Sequence, residues 1–185
     1  LTGGAGNSGC LSNNEQMGEG WSDYFALMTT FDPAQTDRGI GTYAIDEATT
    51  GVGIRNARYS PNFAVNNYTY GDVNSVGLLS QPHGVGFVWC TKLWDMTLAL
   101  VDEYGYDPDP INGTGGNNLA MQLVMDGLKL QPCGPGFVDG RDAILLADTL
   151  LTGGQNACII WEAFARRGLG LSASPGIPDS RTDQA

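Results

Sequence analysis

The stretch GVGFVWCTKLWDMTLALVDEY, residues 84–104, decides the fold of this chain. It predicts a helix on which apolar side chains cover most of the circumference and leave one narrow polar stripe, at Lys92, Asp95 and Asp102. A helix that is apolar nearly all round has to be enclosed by other elements. The sequence therefore predicts a central, buried helix around which the rest of the chain packs.

Four further segments carry apolar residues at helical spacing, and each ends before a proline or a glycine. The first covers residues 14–29 and stops ahead of Pro33, since proline disfavours a helical conformation in the residue before it. The other three cover residues 117–130, 138–151 and 155–167. Together with the central helix they predict a mainly α fold, a helical bundle.

A long irregular segment separates the first predicted helix from the central one. Residues 32–82 are rich in Gly, Asn, Thr, Ser and Tyr and show no sustained period, apart from short predicted strands near residues 42–45 and 67–70. Irregular segments of this length are uncommon in compact domains unless they serve a function. We therefore expect this one to lie over a binding cleft.

The length and composition fit one domain. A chain of 185 residues with 42% hydrophobic composition can bury a core. We predict a helical subdomain over residues 1–171 and a flexible tail or linker over residues 172–185, where two prolines accompany almost no large apolar residues.

The charge of the chain argues against two classes of partner. Its 20 acidic and 9 basic residues give a net charge of -11, which repels phosphate backbones and anionic lipid surfaces. No apolar run approaches the roughly 20 residues that cross a bilayer. We therefore expect neither nucleic acid nor a membrane as a partner. The sequence starts without a secretory signal, which says nothing about a longer precursor.

Glu19 and Asp23 lie four residues apart on the first predicted helix, so both carboxylates project from one face. A carboxylate can bind zinc, and a second carboxylate one turn away can hold the imidazole of a histidine ligand. An isolated Glu-x-x-x-Asp is more often a solvated acidic face. The pair alone does not define a metal site.

Two further side chains are candidates for chemistry. His83 is the only histidine and comes directly before the central helix, where it is either an ordinary helix-start residue or a functional group. Arg55 is a rare positive charge in the irregular segment, either a surface arginine or a donor to a peptide carbonyl. One histidine cannot complete a zinc site of the usual His-containing kind, and the sequence holds no serine-hydrolase motif.

Three segments resemble the fungalysin family of thermolysin-like metallopeptidases. Residues 17–26, MGEGWSDYFA, resemble the family's Gly-Glu-Gly-Trp-Ser-Asp segment, and residues 83–89, HGVGFVW, resemble its His-x-x-Gly-x-x-Trp helix start. Residues 123–133 resemble its Leu-Val-Met-Asp-Gly and Gln-Pro-Cys stretch, and the similarity runs in order through nearly all of residues 1–170. This resemblance implies the C-terminal helical part of a secreted, extracellular zinc metalloendopeptidase that hydrolyses internal bonds of polypeptides.

The resemblance also implies roles for individual residues. Glu19 would be the third ligand of a single zinc ion, Asp23 the carboxylate behind one histidine ligand, and His83 the group that stabilises the oxyanion of the reaction. Arg55 is our candidate for substrate binding. Two histidine ligands and a glutamate base are then expected in the N-terminal half of the same peptidase, which would be this chain's partner. Calcium binding and the group that orients His83 stay open.

The four cysteines permit three pairings. The resemblance implies a disulfide between Cys133 and Cys158. Cys10 and Cys90 are then left over, either bonded to each other or present as free thiols.

Two other hypotheses stay open for the chain as a whole. It could be a noncatalytic, secreted α-helical binding module whose acidic surface recruits a basic partner. It could also be a degenerate homologue that is kept only for structure. A His-Glu-x-x-His motif encoded just upstream would favour the enzyme, because that motif supplies the missing ligands and the base.

Counting ligands predicts that the isolated chain is inactive. A catalytic zinc site needs three protein ligands and a water, and the resemblance supplies only Glu19 here. Calorimetry should therefore detect no tight zinc binding, and unfolded casein should stay uncleaved. A version extended upstream through both histidines should gain zinc and activity.

Tight stoichiometric zinc and zinc-dependent cleavage by the isolated chain would contradict this ligand assignment. An extended version that binds zinc and stays inactive would favour the degenerate homologue.

Overall fold

The computed structural model describes residues 1–4 and 6–182 of the chain. Within that part lie five α-helices: α1 Gly18–Thr29, α2 His83–Tyr104, α3 Gly116–Leu130, α4 Phe137–Thr152 and α5 Ala157–Arg166. Three short 3-10 helices cover Ser8–Leu11, Thr42–Ile45 and Tyr70–Asn74. The described residues form two isolated β-bridges and no strand, so the prediction of a mainly α fold is confirmed.

The central helix of the fold is α2, as predicted. Its side chains are buried around the circumference, and it packs against α1, α3 and α5. By length and composition α2 could also cross a membrane, but 83% of its apolar window is buried inside the fold. That burial is typical of the core helix of a globular protein.

The predicted helices match the observed ones closely, with one exception. Four of the five agree within two residues at each end, whereas α1 begins at Gly18 instead of residue 14. The preceding residues bind other parts of the chain. The amide of Glu15 donates to the carbonyl of Pro178 (2.9 Å), and the side chain of Asn13 donates to that of Pro135 (2.9 Å).

Both predicted strands are wrong. Residues 42–45 form a 3-10 helix because the backbone turns through left-handed conformations on either side, at Gly41 (φ 68°) and Asp46 (φ 59°). Residues 67–70 lead into the next 3-10 helix and do not pair with a strand, because the carbonyl oxygen of Tyr68 accepts a hydrogen bond from a buried arginine (3.4 Å).

That arginine, Arg167, fastens the irregular segment to the helices. Its guanidinium is fully buried and donates to the carboxylate of Asp95 on α2 (Nε to Oδ2, 2.7 Å). It also donates to the carbonyl oxygens of Ser60 (2.7 Å) and Asn66 (2.5 Å). Because a buried guanidinium needs all its donors occupied, these carbonyls are fixed relative to α2 and to the end of α5.

The two helices that carry the candidate residues cross at a pair of glycines. A Cβ atom on Gly20 of α1 would lie 2.2 Å from the carbonyl oxygen of Gly86 on α2. A Cβ atom on Gly86 would lie 2.8 Å from the Cβ of Glu19. Only glycine at these positions lets α1 approach α2 this closely, which brings Glu19 toward the start of α2.

The described part of the predicted tail contacts the helical body. The carbonyl of Pro178 accepts from the amide of Glu15. The side chain of Arg181 is buried and donates to the carbonyl oxygens of Leu79 (2.7 Å) and Val73 (3.3 Å). The boundary at residue 171 stays a prediction, and residues 183–185 lie outside the described residues.

The predicted pairing of Cys133 with Cys158 is wrong. Cys133 is bonded to Cys10, with the Cα atoms 4.6 Å apart, and Cys158 is an exposed free thiol on α5. The physical reason is the path of the N-terminal segment, which runs back to the end of α3. There the Thr2 hydroxyl donates to the carbonyl of Leu128 (2.8 Å), and the neighbouring contacts bring Cys10 to Cys133. Cys90 is a buried free thiol.

This disulfide should be visible by peptide mapping. A nonreduced digest should join the peptides of Cys10 and Cys133, and Cys10→Ser should lower the free energy of unfolding by about 5 kcal/mol, because the bond closes a long loop. Cys158→Ser is the matched control and should have almost no effect. A peptide joining Cys133 to Cys158 would contradict the structure.

Candidate functional site

The candidate site begins on α1 with two carboxylates one turn apart. Glu19 lies in the first turn of the helix, and its side chain keeps 35% of its surface exposed. Asp23 lies one turn later and is only 4% exposed. The two therefore do not form the solvated acidic face that an isolated Glu-x-x-x-Asp most often forms, because the irregular segment covers Asp23.

Asp23 accepts three hydrogen bonds from that segment. Arg55 donates from Nε to Oδ2 (2.6 Å) and from Nη2 to Oδ1 (2.7 Å). The phenol of Tyr59 donates to Oδ2 (2.5 Å). A buried carboxylate is stable only when charged or polar donors surround it, and these donors fill both lone pairs of Oδ2 and one of Oδ1.

Glu19 joins this group through its Oε2 atom. That oxygen accepts from Nη2 of Arg55 (3.0 Å) and lies 3.1 Å from Nδ1 of His83. Its other oxygen, Oε1, has no hydrogen-bond partner within the described part of the chain. The Oε1 atom of Glu19 therefore keeps its lone pairs free on the exposed side.

His83 is the first residue of α2, and 58% of its side chain is exposed. What orients this ring was open from the sequence, because residues 78–82 hold no carboxylate. In the structure the ring contacts Glu19 across the helix crossing. Its Nε2 atom makes no hydrogen bond among residues 1–4 and 6–182.

The charges of the site stabilise one another. Burial raises the pKa of Glu19, but hydrogen bonds from Arg55 and His83 outweigh burial and leave that pKa below its usual value. The hydrogen bond with Asp23 raises the pKa of Arg55. Burial raises the pKa of the Tyr59 phenol well above its ordinary value, with further contributions from Cys90 and Asp23. Tyr59 is therefore a neutral hydrogen-bond donor at physiological pH.

The residues present fit one position of a zinc site. A carboxylate oxygen is a suitable zinc ligand, and Glu19 offers an open one. In the described part of the chain no three His, Cys, Asp or Glu side chains form a group that could hold a metal ion, so a complete zinc site would need ligands from further residues.

Glu19 and His83 form the exposed part of the site, whereas the side chains of Asp23 and Arg55 are only 6% and 5% exposed. An open cavity of about 460 Å³ lies further along the same helix, between Ala26 and the loop that carries Tyr43. Glu19, Arg55 and His83 do not line this cavity.

The structure brings Glu19, Asp23, Arg55 and His83 together, although 64 positions separate Glu19 from His83 along the sequence. The roles assigned to these four stay predictions. Sequence reasoning missed Tyr59. Nothing in the sequence distinguishes this residue from the other tyrosines of the irregular segment, since a segment without periodicity does not indicate which side chains point inward.

Comparisons with known proteins agree on one family. A family model described as "Fungalysin metallopeptidase (M36)" matches residues 1–173. The "Extracellular metalloproteinase 2" of Trichophyton tonsurans is 45% identical over 187 residues, which cover 95% of this chain and 29% of that protein. The "Extracellular metalloproteinase mep" of Aspergillus fumigatus is 47% identical over 184 residues, which cover 94% of this chain and 28% of that protein.

This chain thus spans less than a third of the length of these curated relatives. The matched region includes all four residues of the candidate site and the disulfide.

Arg55 should be important for stability because it neutralises a buried carboxylate. Arg55→Met should lower the free energy of unfolding of the chain by about 3 kcal/mol, since Asp23 would keep a single donor. Arg58→Met is the matched control: its pair with Asp37 is partly exposed and 3.8 Å long, so the loss should be at most about 1 kcal/mol. Urea unfolding measures both, and equal losses would contradict this account.

Proposed function

Because this chain belongs to the fungalysin metallopeptidase family, we propose that it is the C-terminal part of a zinc-dependent endopeptidase and forms one wall of its active-site cleft. The observation that carries the proposal is the convergence of Glu19, Asp23, Arg55 and His83, in which Glu19 and His83 are exposed and Asp23 and Arg55 lie buried beside them. The protein is extracellular, because its curated relatives are named extracellular metalloproteinases.

Glu19 is the proposed metal ligand of this chain. Its free oxygen lies on the exposed side, while its other oxygen is held by Arg55 and by His83. A ligand fixed in this way loses little freedom when it binds a metal. When bound, zinc polarises the scissile carbonyl and lowers the pKa of its water. The other two ligands are proposed to be histidines in the N-terminal half of the protein.

Asp23 is proposed to hold one of those histidines. Its Oδ2 atom already accepts from Arg55 and Tyr59, whereas Oδ1 accepts only from Arg55. The remaining lone pair of Oδ1 can accept a hydrogen bond from the far nitrogen of an imidazole ligand, which fixes the tautomer and the orientation of the ring.

Two donors of the site are left for a polypeptide substrate. Arg55 uses Nε and Nη2 for the carboxylates, and its Nη1 atom has no partner within the described residues. Only 5% of its side chain is exposed, so a peptide carbonyl has to enter the site to accept from Nη1. Because Nδ1 of His83 donates to Glu19, the ring donates from Nε2 only as imidazolium, and in that form it can stabilise the negative oxygen that develops on the scissile carbonyl. Both groups are held in place before substrate arrives, which is what electrostatic stabilisation of a transition state requires.

The outward face of α1 is the proposed contact with the N-terminal half. Its exposed residues are Ser22, Ala26 and Thr29, all small. Small side chains allow a second helix to approach α1 closely, and the distance between packed helix axes depends on the side chains at the contact. A helix carrying the two histidines could thus lie beside Glu19 and Asp23.

The roles of Glu19 and His83 can be separated in the full-length protein. His83→Ala should lower kcat by about 100-fold and leave one zinc per molecule, because His83 is not a proposed ligand and Arg55 still holds Glu19 in the variant. Glu19→Gln should lose zinc and activity together, because it removes a ligand. Metal content is measured by elemental analysis after dialysis, and kcat on a peptide.

Loss of stoichiometric zinc in the His83→Ala protein would mean that His83 is a ligand. A wild-type protein that binds zinc and cleaves no peptide would favour the degenerate homologue. Circular dichroism before and after heating checks that each variant is folded.

A further inference from the structure

The irregular segment supplies a second, neutral donor to Asp23 besides Arg55. We infer that Tyr59 is a positioning residue of the metal site, which acts by fixing the carboxylate of Asp23. This inference rests on the proposed function, because it gives Tyr59 a role only if Asp23 holds a histidine ligand.

Tyr59 itself is held rigidly from three sides. Its backbone forms a bridge with Arg38, in which each residue's amide donates to the other's carbonyl over 2.8 Å. Its ring packs on Phe87 of α2, with centroids 5.1 Å apart. The residue is fully buried, and its hydroxyl lies between Oδ2 of Asp23, to which it donates, and the buried thiol of Cys90.

The Tyr59 hydroxyl makes a hydrogen bond to Asp23 that Arg55 cannot make. The guanidinium binds both oxygens of Asp23 side by side, and this fork leaves the second lone pair of each oxygen open. Tyr59 occupies that lone pair on Oδ2 and not on Oδ1. The two carboxylate oxygens are thereby made unequal, and a histidine N–H is directed to Oδ1.

Tyr59 reaches neither the exposed face nor a substrate, because its side chain is enclosed by α1, α2 and its own segment. Its effect on the metal therefore has to pass through Asp23. Partners that orient metal-ligating histidines typically change metal affinity by 10- to 100-fold when they are removed.

The test uses the full-length protein that contains this chain and measures its dissociation constant for zinc by competition with a chelator. Tyr59→Phe keeps the ring and removes only the hydroxyl, and it should weaken zinc binding roughly tenfold. Tyr68→Phe is the matched control, since its ring packs on the same Phe87 (5.2 Å) without contacting Asp23. That variant should bind zinc as the wild type does.

A double-mutant cycle with Asp23→Asn separates positioning from general destabilisation. Asp23→Asn should itself weaken zinc binding, and adding Tyr59→Phe should then change the constant less than twofold, because the group on which Tyr59 acts has been altered. A merely structural role would produce the same loss in both backgrounds and would overturn the inference.

The remaining outcomes are also decisive. If Asp23→Asn weakens zinc binding and Tyr59→Phe does not, the inference fails and the proposed function stands. If Asp23→Asn leaves zinc binding unchanged, the proposed role of Asp23 fails, and the inference fails with it. A Tyr59→Phe protein that does not fold would overturn the inference, which gives the hydroxyl a part in fixing Asp23 and no larger part in folding.

Discussion

One buried carboxylate organises the candidate site. Asp23 accepts hydrogen bonds from Arg55 and Tyr59, which both belong to a segment without regular structure. A charge removed from water has to be matched by donors at close range, or the fold loses several kcal/mol. The segment is therefore held in one conformation over α1, and Arg55 becomes available to Glu19 as well. Local secondary structure could not have fixed the conformation of this segment.

The geometry of the site also depends on residues that have no proposed functional role. Gly20 and Gly86 let α1 and α2 cross closely enough for Glu19 to reach His83. Arg167, buried at the end of α5, fixes the carbonyl of Ser60, which follows Tyr59 directly. Metal and catalytic sites tolerate displacements of only about half an ångström, so supporting contacts of this kind decide whether a site functions.

Under the proposed function, the chain supplies part of an active site rather than a complete one. Glu19 and His83 are exposed beside the buried Asp23 and Arg55, and the matched relatives are more than three times as long as this chain. Such a division is common where an active site lies between two subdomains, since clefts form at domain interfaces. What this wall offers is rigidity: Glu19, Asp23 and Arg55 are bound to one another before any metal or substrate binds.

The sequence by itself determined the helices, because apolar periodicity and helix-breaking residues act over a few neighbouring positions; α2 was predicted within one residue at each end. It also indicated Glu19, Asp23, His83 and Arg55 as candidates, through their types, their spacing and a family resemblance. Only the tertiary structure decided that Tyr59 binds Asp23 and that Cys133 bonds to Cys10. The physical reason is range: these contacts join residues 36 and 123 positions apart, and which distant groups meet depends on how the whole chain packs.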